Sequence, residues 1–422
     1  MKRYIWKKNT KIPTIVVVGA GFAGINFVKA VRKRDCEVVI IDKHNYHQFQ
    51  PLLYQVAISG LEPDSIVSPV RRLFNQSENV HYVMGELLRV DQQARSVELD
   101  VSTLEYDHLV IATGSRTNFN GNANIEKYAF GLKDINDALS LRSWVLQQLE
   151  AASLHPDEDS YTHFVVAGGG PAGIEMAGAL AEFRSMLLAK DYPRVNKSHF
   201  EITLIAGSGP LLAAMSERSQ QHAAAVLERM GVEVVYNARV NDFDGSTVVY
   251  TQNDEAKTIA AKTLIWTAGV TCDSIEGLSS ECYTHQNRLL VDDRLRVANA
   301  EEVYAIGDIA YLETAEFPRG LPMVAQTAIQ QGRFLAKNLL EGGKDAFVYK
   351  DKGSMATIGM RDAVADVNSI FVNGRTGWFL WSMVHLISIT SFRNRLTTGF
   401  NWLLKYLSYD KANQLIIRRV KR

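Results

Sequence analysis

One short grammar, written twice, restricts this chain more than anything else in it. An apolar run leads into a GxGxxG turn, which opens an amphipathic stretch. In the first copy, residues 15–18 (Ile-Val-Val-Val) enter Gly19-Ala20-Gly21-Phe22-Ala23-Gly24. A helical pattern then runs over 25–34, and a second apolar run covers 37–42. The second copy reads residues 163–167 into Gly168-Gly169-Gly170-Pro171-Ala172-Gly173, then a helical pattern to about 190 and a run over 201–205. Short β-branched runs bounded by turn glycines are buried parallel strands. Two copies starting at Gly19 and Gly168 are too far apart for a solenoid repeat and predict an α/β fold wound twice.

The glycines have separate tasks. Gly19 permits the tight turn, Gly21 lets backbone N–H groups approach a pyrophosphate, and Gly24 allows close packing of helix on strand. The phosphate then rests on a helix N-terminus, where unpaired donors and partial positive charge coincide. Asp42, eighteen residues beyond Gly24, stands where a carboxylate accepts from a ribose hydroxyl. Residues 109–114 and 264–269 read as glycine-ended strands closing the two units, and 303–308 as a strand returning to the first, ending in Gly307-Asp308. An aspartate there suits the ribityl or pyrophosphate part of a flavin. Two dinucleotides on one chain imply a flavoprotein that takes hydride from a nicotinamide. A helix over 133–152 and an exposed linker over 153–159 join the units.

Charge excludes some classes. Lys+Arg and Asp+Glu both number 46, so a general nucleic-acid binder is not expected. Cys36, Cys272 and Cys282 form no CxxC, which argues against a disulfide scaffold, a zinc site or any other metal centre. His44 and His47 read as loop residues without further ligands. The basic start lacks the apolar run of a signal peptide. Residues 376–422 hold eight basic residues and one acid, a net of +7, leaving −7 on the remainder. Basic residues beside Trp and Leu at helical spacing suit a helix lying in a lipid interface, each cation worth roughly 1 kcal/mol near anionic headgroups. The uncharged run 377–392 is shorter than the about 20 residues a spanning helix needs. A dimer surface or a core-packing tail is the other reading of this segment.

From about residue 13 onward the chain resembles the type II NADH:quinone oxidoreductases, single-subunit alternative NADH dehydrogenases. The likeness is carried by Phe49-Gln50-Pro51-Leu52-Leu53-Tyr54-Gln55-Val56-Ala57, Ala112-Thr113-Gly114-Ser115 and Trp266-Thr267-Ala268-Gly269-Val270. It continues through Ala325-Gln326-Thr327-Ala328-Ile329-Gln330, Ala356-Thr357-Ile358-Gly359 and the tail around Trp381, His385 and Arg393-Asn394-Arg395. The resemblance implies FAD in the first unit, NADH or NADPH in the second, and a quinone acceptor near the flavin. It further implies a homodimer held peripherally on the cytoplasmic face of the inner or plasma membrane, against anionic lipid, that does not pump protons. Carried over, Gln326 and Gln330 hydrogen-bond quinone carbonyls, and Glu175, two residues into the second helix, assists proton delivery. The cofactor set is Gly19, Gly21, Phe22, Ala23, Gly24, Asp42, Lys43, Ala112, Thr113, Gly114, Gly307, Asp308, Ala325 and Gln326. For the nicotinamide nucleotide it is Gly168, Gly170, Pro171, Ala172, Gly173, Glu175, Ala268 and Gly269.

The expected domains are FAD-binding over 12–125 and 291–342, NAD(P)H-binding over 126–290, and a C-terminal domain with amphipathic anchoring helices over 343–422. One departure stands out. Members using NADH end the second unit's second strand with an acid, whereas here Ala206, Gly207 and Ser208 follow Ile205. Ala206 neither accepts from a ribose nor repels a 2′-phosphate, so discrimination between NADH and NADPH is expected to blur, with Ser208 partly substituting. The rival readings are a soluble flavin NAD(P)H oxidase, a ferredoxin reductase, and a nucleotide-binding membrane adaptor without turnover.

Overall fold

A computed structural model describes residues 4–6, 11–187, 191–207, 209–368, 370–408, 414–416 and 419–421. The chain packs into two compact units. The first comprises Met1–His47, Ser68–Arg116 and Val270–Asp351; the second comprises Gln48–Val67, Thr117–Gly269 and Lys352–Arg422.

The first unit is built on a five-stranded parallel sheet. Its order is Val303–Ala305, His108–Ile111, Thr14–Val18, Glu37–Asp42 and Val80–Met84. Thr14–Val18 is buried at every position, as a parallel strand covered on both faces must be. Helices Phe22–Val31 and Ala325–Leu340 cover one face, and Gly332 lets them meet: a Cβ there would overlap the Ala23 carbonyl. The other face buries Val16, Val39, Ile41 and Leu109 with Val97 and Leu104 of a smaller four-stranded sheet.

The second unit repeats the plan with four parallel strands, in the order Glu233–Val235, Glu201–Ile205, His163–Ala167 and Thr263–Trp266. Helix Ile135–Leu154 starts in a capping box between Asp134 and Asp137 and runs two residues beyond the expected end, into the segment read as linker. A three-stranded antiparallel sheet, Ser354–Thr357, Ala363–Val367 and Ile370–Asn373, precedes helices Gly374–Ser388 and Phe392–Ser408. That sheet was not expected from the sequence. No helix among the described residues is long and apolar enough to cross a membrane.

The packing draws its boundaries elsewhere than at 125, 290 and 342, for local reasons. Residues 270–290 pack with the first unit, where Val90 N–H donates to the Glu276 carbonyl (2.8 Å) and Gly277 lies against Val90. Residues 343–351 do the same, with Phe347 N–H on the Asp293 carbonyl (2.6 Å). Conversely 48–67 packs with the second unit: Asn394 Nδ2 donates to the Val67 carbonyl (2.7 Å) and Thr398 to that of Ser65 (3.3 Å). The C-terminal segment from Lys352 onward groups with the second unit.

Candidate active site

The first glycine turn is cut for a phosphate. Gly19 has φ +110°, and a Cβ there would overlap the Ala112 carbonyl; one on Gly24 would overlap the Gly19 carbonyl. At Gly21 nothing lies within 4 Å of the missing Cβ. The helix it caps has no acid in its first turn and no side-chain cap, so its leading N–H groups have no side-chain acceptor at the cap. This open, donor-lined cradle fits a dinucleotide pyrophosphate.

Three side chains hold the cradle. Asp42 accepts from Ala20 N–H and His44 N–H, both at 2.7 Å, and each oxygen keeps a further lone pair for a ribose hydroxyl. Burial raises its carboxyl, and those two N–H groups oppose the shift. His47 Nδ1 donates to the Ala20 carbonyl (2.8 Å); burial pushes its imidazole down to about 4, so it is neutral. Gln331 Oε1 accepts from Gly307 N–H (2.7 Å), fixing the turn that presents Asp308. Asp308 accepts from Ser115 Oγ (2.5 Å), next to Ala112, Thr113 and Gly114. Lys43 is exposed and lies 3.9 Å from Glu86. Sequence reasoning missed Gln331, whose neighbour Gln330 drew the attention, and it gave His47 no particular task.

Gln326 and Gln330, on helix Ala325–Leu340 behind Ala325, have partners in their own unit. Gln326 Nε2 donates to Asp351 Oδ1 (3.1 Å). Gln330 exchanges two bonds with the Lys350 backbone, at 2.9 and 3.0 Å. Their amides brace the 350–351 segment, so a quinone carbonyl would have to use their remaining donors.

The second turn copies the first. Gly168 has φ +122°, a Cβ on Gly173 would overlap the Gly168 carbonyl, and Gly170 again has open space. Pro171 takes the first helical position, where its missing N–H is no loss, and Ala172 is exposed beside it. Ala268 and Gly269 are exposed at the end of strand Thr263–Trp266. Ala206 is buried, and its backbone is consumed by Val235 and Ala238, at 2.9 and 3.0 Å. Ser208 lies outside the described residues.

Glu175 is the fifth residue of helix Pro171–Leu187, one turn further in than expected, so dipole stabilisation at a helix start does not explain it. It is 9% exposed, and burial raises its carboxyl to about 8. Its one recorded hydrogen bond is long, from Thr357 N–H to Oε1 (3.5 Å). An acid so placed is largely protonated at neutral pH and can give up a proton. Near it Tyr54 Oη lies 2.8 Å from Thr357 Oγ1 and accepts from Gln55 Nε2 (2.9 Å), while Trp402 Nε1 donates to Gln55 Oε1 (2.9 Å). Tyr54, Gln55, Glu182, Trp378, Trp381 and Trp402 line a narrow cleft of about 30 Å³. His385 stacks on Trp381, ring centres 4.0 Å apart, and burial pushes it down to about 4.

Comparison with known proteins agrees with this geometry. Residues 13–332 match the pyridine nucleotide-disulphide oxidoreductase family and residues 352–408 the NDH2 C-terminal domain. A relative from Mycobacterium tuberculosis, type II NADH:quinone oxidoreductase NdhA, is 32% identical over 95% of this chain and 89% of its own length. The chain belongs to the type II NADH:quinone oxidoreductases. Within that family, the external NADH-ubiquinone oxidoreductase 2 of Saccharomyces cerevisiae is 29% identical over 93% of this chain and 80% of its own. The fold matches NDH2 of Plasmodium falciparum, solved in complex with NADH, with TM-score 0.88 at 21% identity over 97% and 100% of the two chains. It matches the sulfide:quinone oxidoreductase of Aquifex aeolicus less closely, with TM-score 0.72 at 17% identity over 94% and 96%. Here Cys36, Cys272 and Cys282 are buried and form no disulfide, with Cys272 and Cys282 directed at the Asp308 and Ala298 carbonyls. Among the described residues no group of three or more His, Cys, Asp or Glu could hold a metal ion.

Proposed function

We propose that this chain is a peripheral-membrane flavoenzyme that oxidises NADH and reduces a membrane quinone without pumping protons. FAD, when bound, supplies the redox chemistry, taking hydride from nicotinamide and passing two electrons to the quinone. The chain's own part is binding, orientation and proton supply. The cradle at Gly19–Gly24, with Asp42 and Asp308, suits FAD; the cradle at Gly168–Gly173 suits NADH. Orientation of the reacting rings accounts for much of the rate in such transfers. Gln326 and Gln330 offer amide hydrogens to a quinone, and Glu175 gives a proton to the reduced acceptor. The observation that carries the reading is a buried, proton-holding carboxyl near a Trp-lined cleft, in a chain with two dinucleotide cradles.

Two helices support membrane attachment. Phe379, Met383 and Ile387 recur on one side of Gly374–Ser388, and Phe392, Leu396, Phe400 and Leu403 on one side of Phe392–Ser408. All are exposed, Phe392 at 72%. A contiguous apolar face of this kind needs a cover, and an anionic bilayer suits the basic tail around it. Of that tail, Lys411, Arg418 and Arg422 lie outside the described residues. We assign attachment to the cytoplasmic face, where NADH is at hand, and a homodimer from the family resemblance.

The purified protein is expected to be yellow, to bleach with NADH under nitrogen, and to recover with a quinone analogue. Glu175→Gln should bleach normally and recover at least about tenfold more slowly. Folded protein that neither retains nor regains flavin would overturn the reading; recovery with oxygen alone would make it an oxidase. Deleting the tail is a poor test of attachment, because Trp381 and Trp402 line the cleft. Replacing Phe379, Ile387 and Phe400 by serine should release the protein from anionic liposomes and leave it able to bleach.

A further inference from the structure

If Asp308 holds flavin, as proposed above, the turn that carries it must be kept in place, and a residue in none of the motifs does much of that. Arg288 sits just before strand Leu289–Leu290 and is 4% exposed. Its Nε donates to the Asp308 carbonyl (2.9 Å). Its Nη2 donates to the Ala310 carbonyl (2.5 Å) and to that of Leu321 (3.1 Å). A guanidinium only donates, so the direction of all three bonds is settled. Tyr311 lies against the guanidinium, its ring centre 5.2 Å from Cζ, and a Cβ at Gly320 would overlap that ring.

The three carbonyls come from two segments. Asp308 and Ala310 follow strand Val303–Ala305 in a turn that starts at Gly307, where φ is +81°. Leu321 stands four residues before Ala325, the first residue of helix Ala325–Leu340. Other side chains hold the same turn at other points. Gln331 Oε1 accepts from Gly307 N–H (2.7 Å), and Ser115 Oγ donates to the Asp308 carboxylate (2.5 Å). The Asp308 peptide itself is fixed by Arg288, with a longer contact from Cys272 Sγ (3.6 Å).

A cation is a costly donor in such a place. Burial pushes the guanidinium below its ordinary value, and Asp308 is among the groups that oppose the shift. What a guanidinium offers in return is a rigid planar fork, which spans carbonyls two residues apart and still reaches a third.

We propose that Arg288 is a positioning residue for flavin binding: it locks the 307–310 turn to the segment before Ala325 and so aims the Asp308 carboxylate at the cofactor. The proposal rests on the reading of Asp308 as a flavin ligand, and Arg288 acts through it.

The test uses full-length wild type, Asp308→Ala, Arg288→Met, Arg288→Lys and the double variant of Asp308→Ala with Arg288→Met. Each is loaded with FAD, freed of excess and diluted. The rise in flavin fluorescence gives the release rate, and visible circular dichroism before dilution reports how the bound ring is held. Arg288→Met should release FAD about tenfold faster than wild type, with an altered dichroic band. Arg288→Lys, which keeps the charge and one donor group, should recover part of that loss. Asp308→Ala should also release FAD about tenfold faster or more, and adding Arg288→Met should then cost less than about threefold, because the carboxylate it aims is gone. Wild-type release from Arg288→Met would overturn the proposal. So would a full tenfold further loss in the Asp308→Ala background, which would make Arg288 a brace unconnected with Asp308. If Arg288→Met does not fold, Arg288→Lys takes its place in the same cycle. Wild-type release from Asp308→Ala alone would instead remove the reading of Asp308, and the proposal with it.

Discussion

The two glycine turns share a shape and differ in how they are held. At Gly19–Gly24 side chains from three places brace the loop: Asp42 from the next strand, His47 from the segment after it, and Gln331, which holds Gly307 from helix Ala325–Leu340. At Gly168–Gly173 the ties are mostly backbone ones, Gly168 N–H to the Ile205 carbonyl and Leu212 N–H to that of Gly169, both 2.9 Å, with the Thr267 hydroxyl donating to the Ala167 carbonyl (2.8 Å) at the entry to the turn. Ala206 stands where the first unit has Asp42. A cradle braced by side chains is organised before its ligand arrives and so loses less entropy on binding. That suits a resident cofactor. A cradle with fewer side-chain braces suits a substrate that must leave each turnover.

The largest effect should come from filling the two turns separately. Gly24→Ala puts a methyl into the Gly19 carbonyl, an overlap costing about 1–3 kcal/mol or more, and should yield folded protein depleted of flavin by its visible spectrum. Gly173→Ala, the equivalent change in the second turn, should keep its flavin and raise KM for NADH about tenfold. Loss of flavin from both variants would erase the distinction between the cradles.

Exchanging the strand-end residues should matter less. Asp42→Ala leaves two loop N–H groups without their acceptor, and a hydrogen bond to a charged group is worth about 1.5–3 kcal/mol, so FAD affinity should fall at least about tenfold. Ala206→Asp supplies an acceptor for the adenosine ribose and a charge that repels a 2′-phosphate. Its kcat/KM ratio for NADH over NADPH should rise about tenfold above that of the wild type. A wild type already a hundredfold selective for NADH would show that another residue does the work of the missing acid.

The smallest effect is one of pH. His47 sits near 4 in the folded protein and near 6.5 when unfolded, so between those values the unfolded chain binds the extra proton. Stability is therefore intact above about 6.5 and falls as pH drops toward 4, by up to about 3 kcal/mol. His47→Gln, whose amide can still donate to the Ala20 carbonyl, should flatten the decline of Tm between pH 6.5 and 5. A slope unchanged in that variant would shift the acid sensitivity to another group, His385 foremost, since burial lowers it equally.

Much of this was legible from neighbouring residues. A strand such as Thr14–Val18, the turn after it and Asp42 at the next strand's end lie within thirty positions, and steric rules act at that range. The return of Val303–Ala305 to the first sheet was legible too, because an apolar run ending in Gly-Asp announces a strand and its loop. The C-terminal sheet was not: Ser354–Thr357 is short and without strong alternation, and it becomes a strand because Ala363–Val367 supplies its hydrogen-bonding partner.

What the sequence determined alone, then, is the pair of cradles, since glycine spacing and β-branched runs are local and act on backbone geometry directly. Tertiary structure decided which side chains brace each cradle and what stands beside Glu175. Tyr54 and Thr357 are 303 residues apart in the chain, and Thr357 and Glu175 are 182 apart. No periodicity announces such a meeting. It exists because the helix after Gly170 and the strand ending at Thr357 bury against each other, and burial turns an ordinary carboxyl into one that keeps its proton.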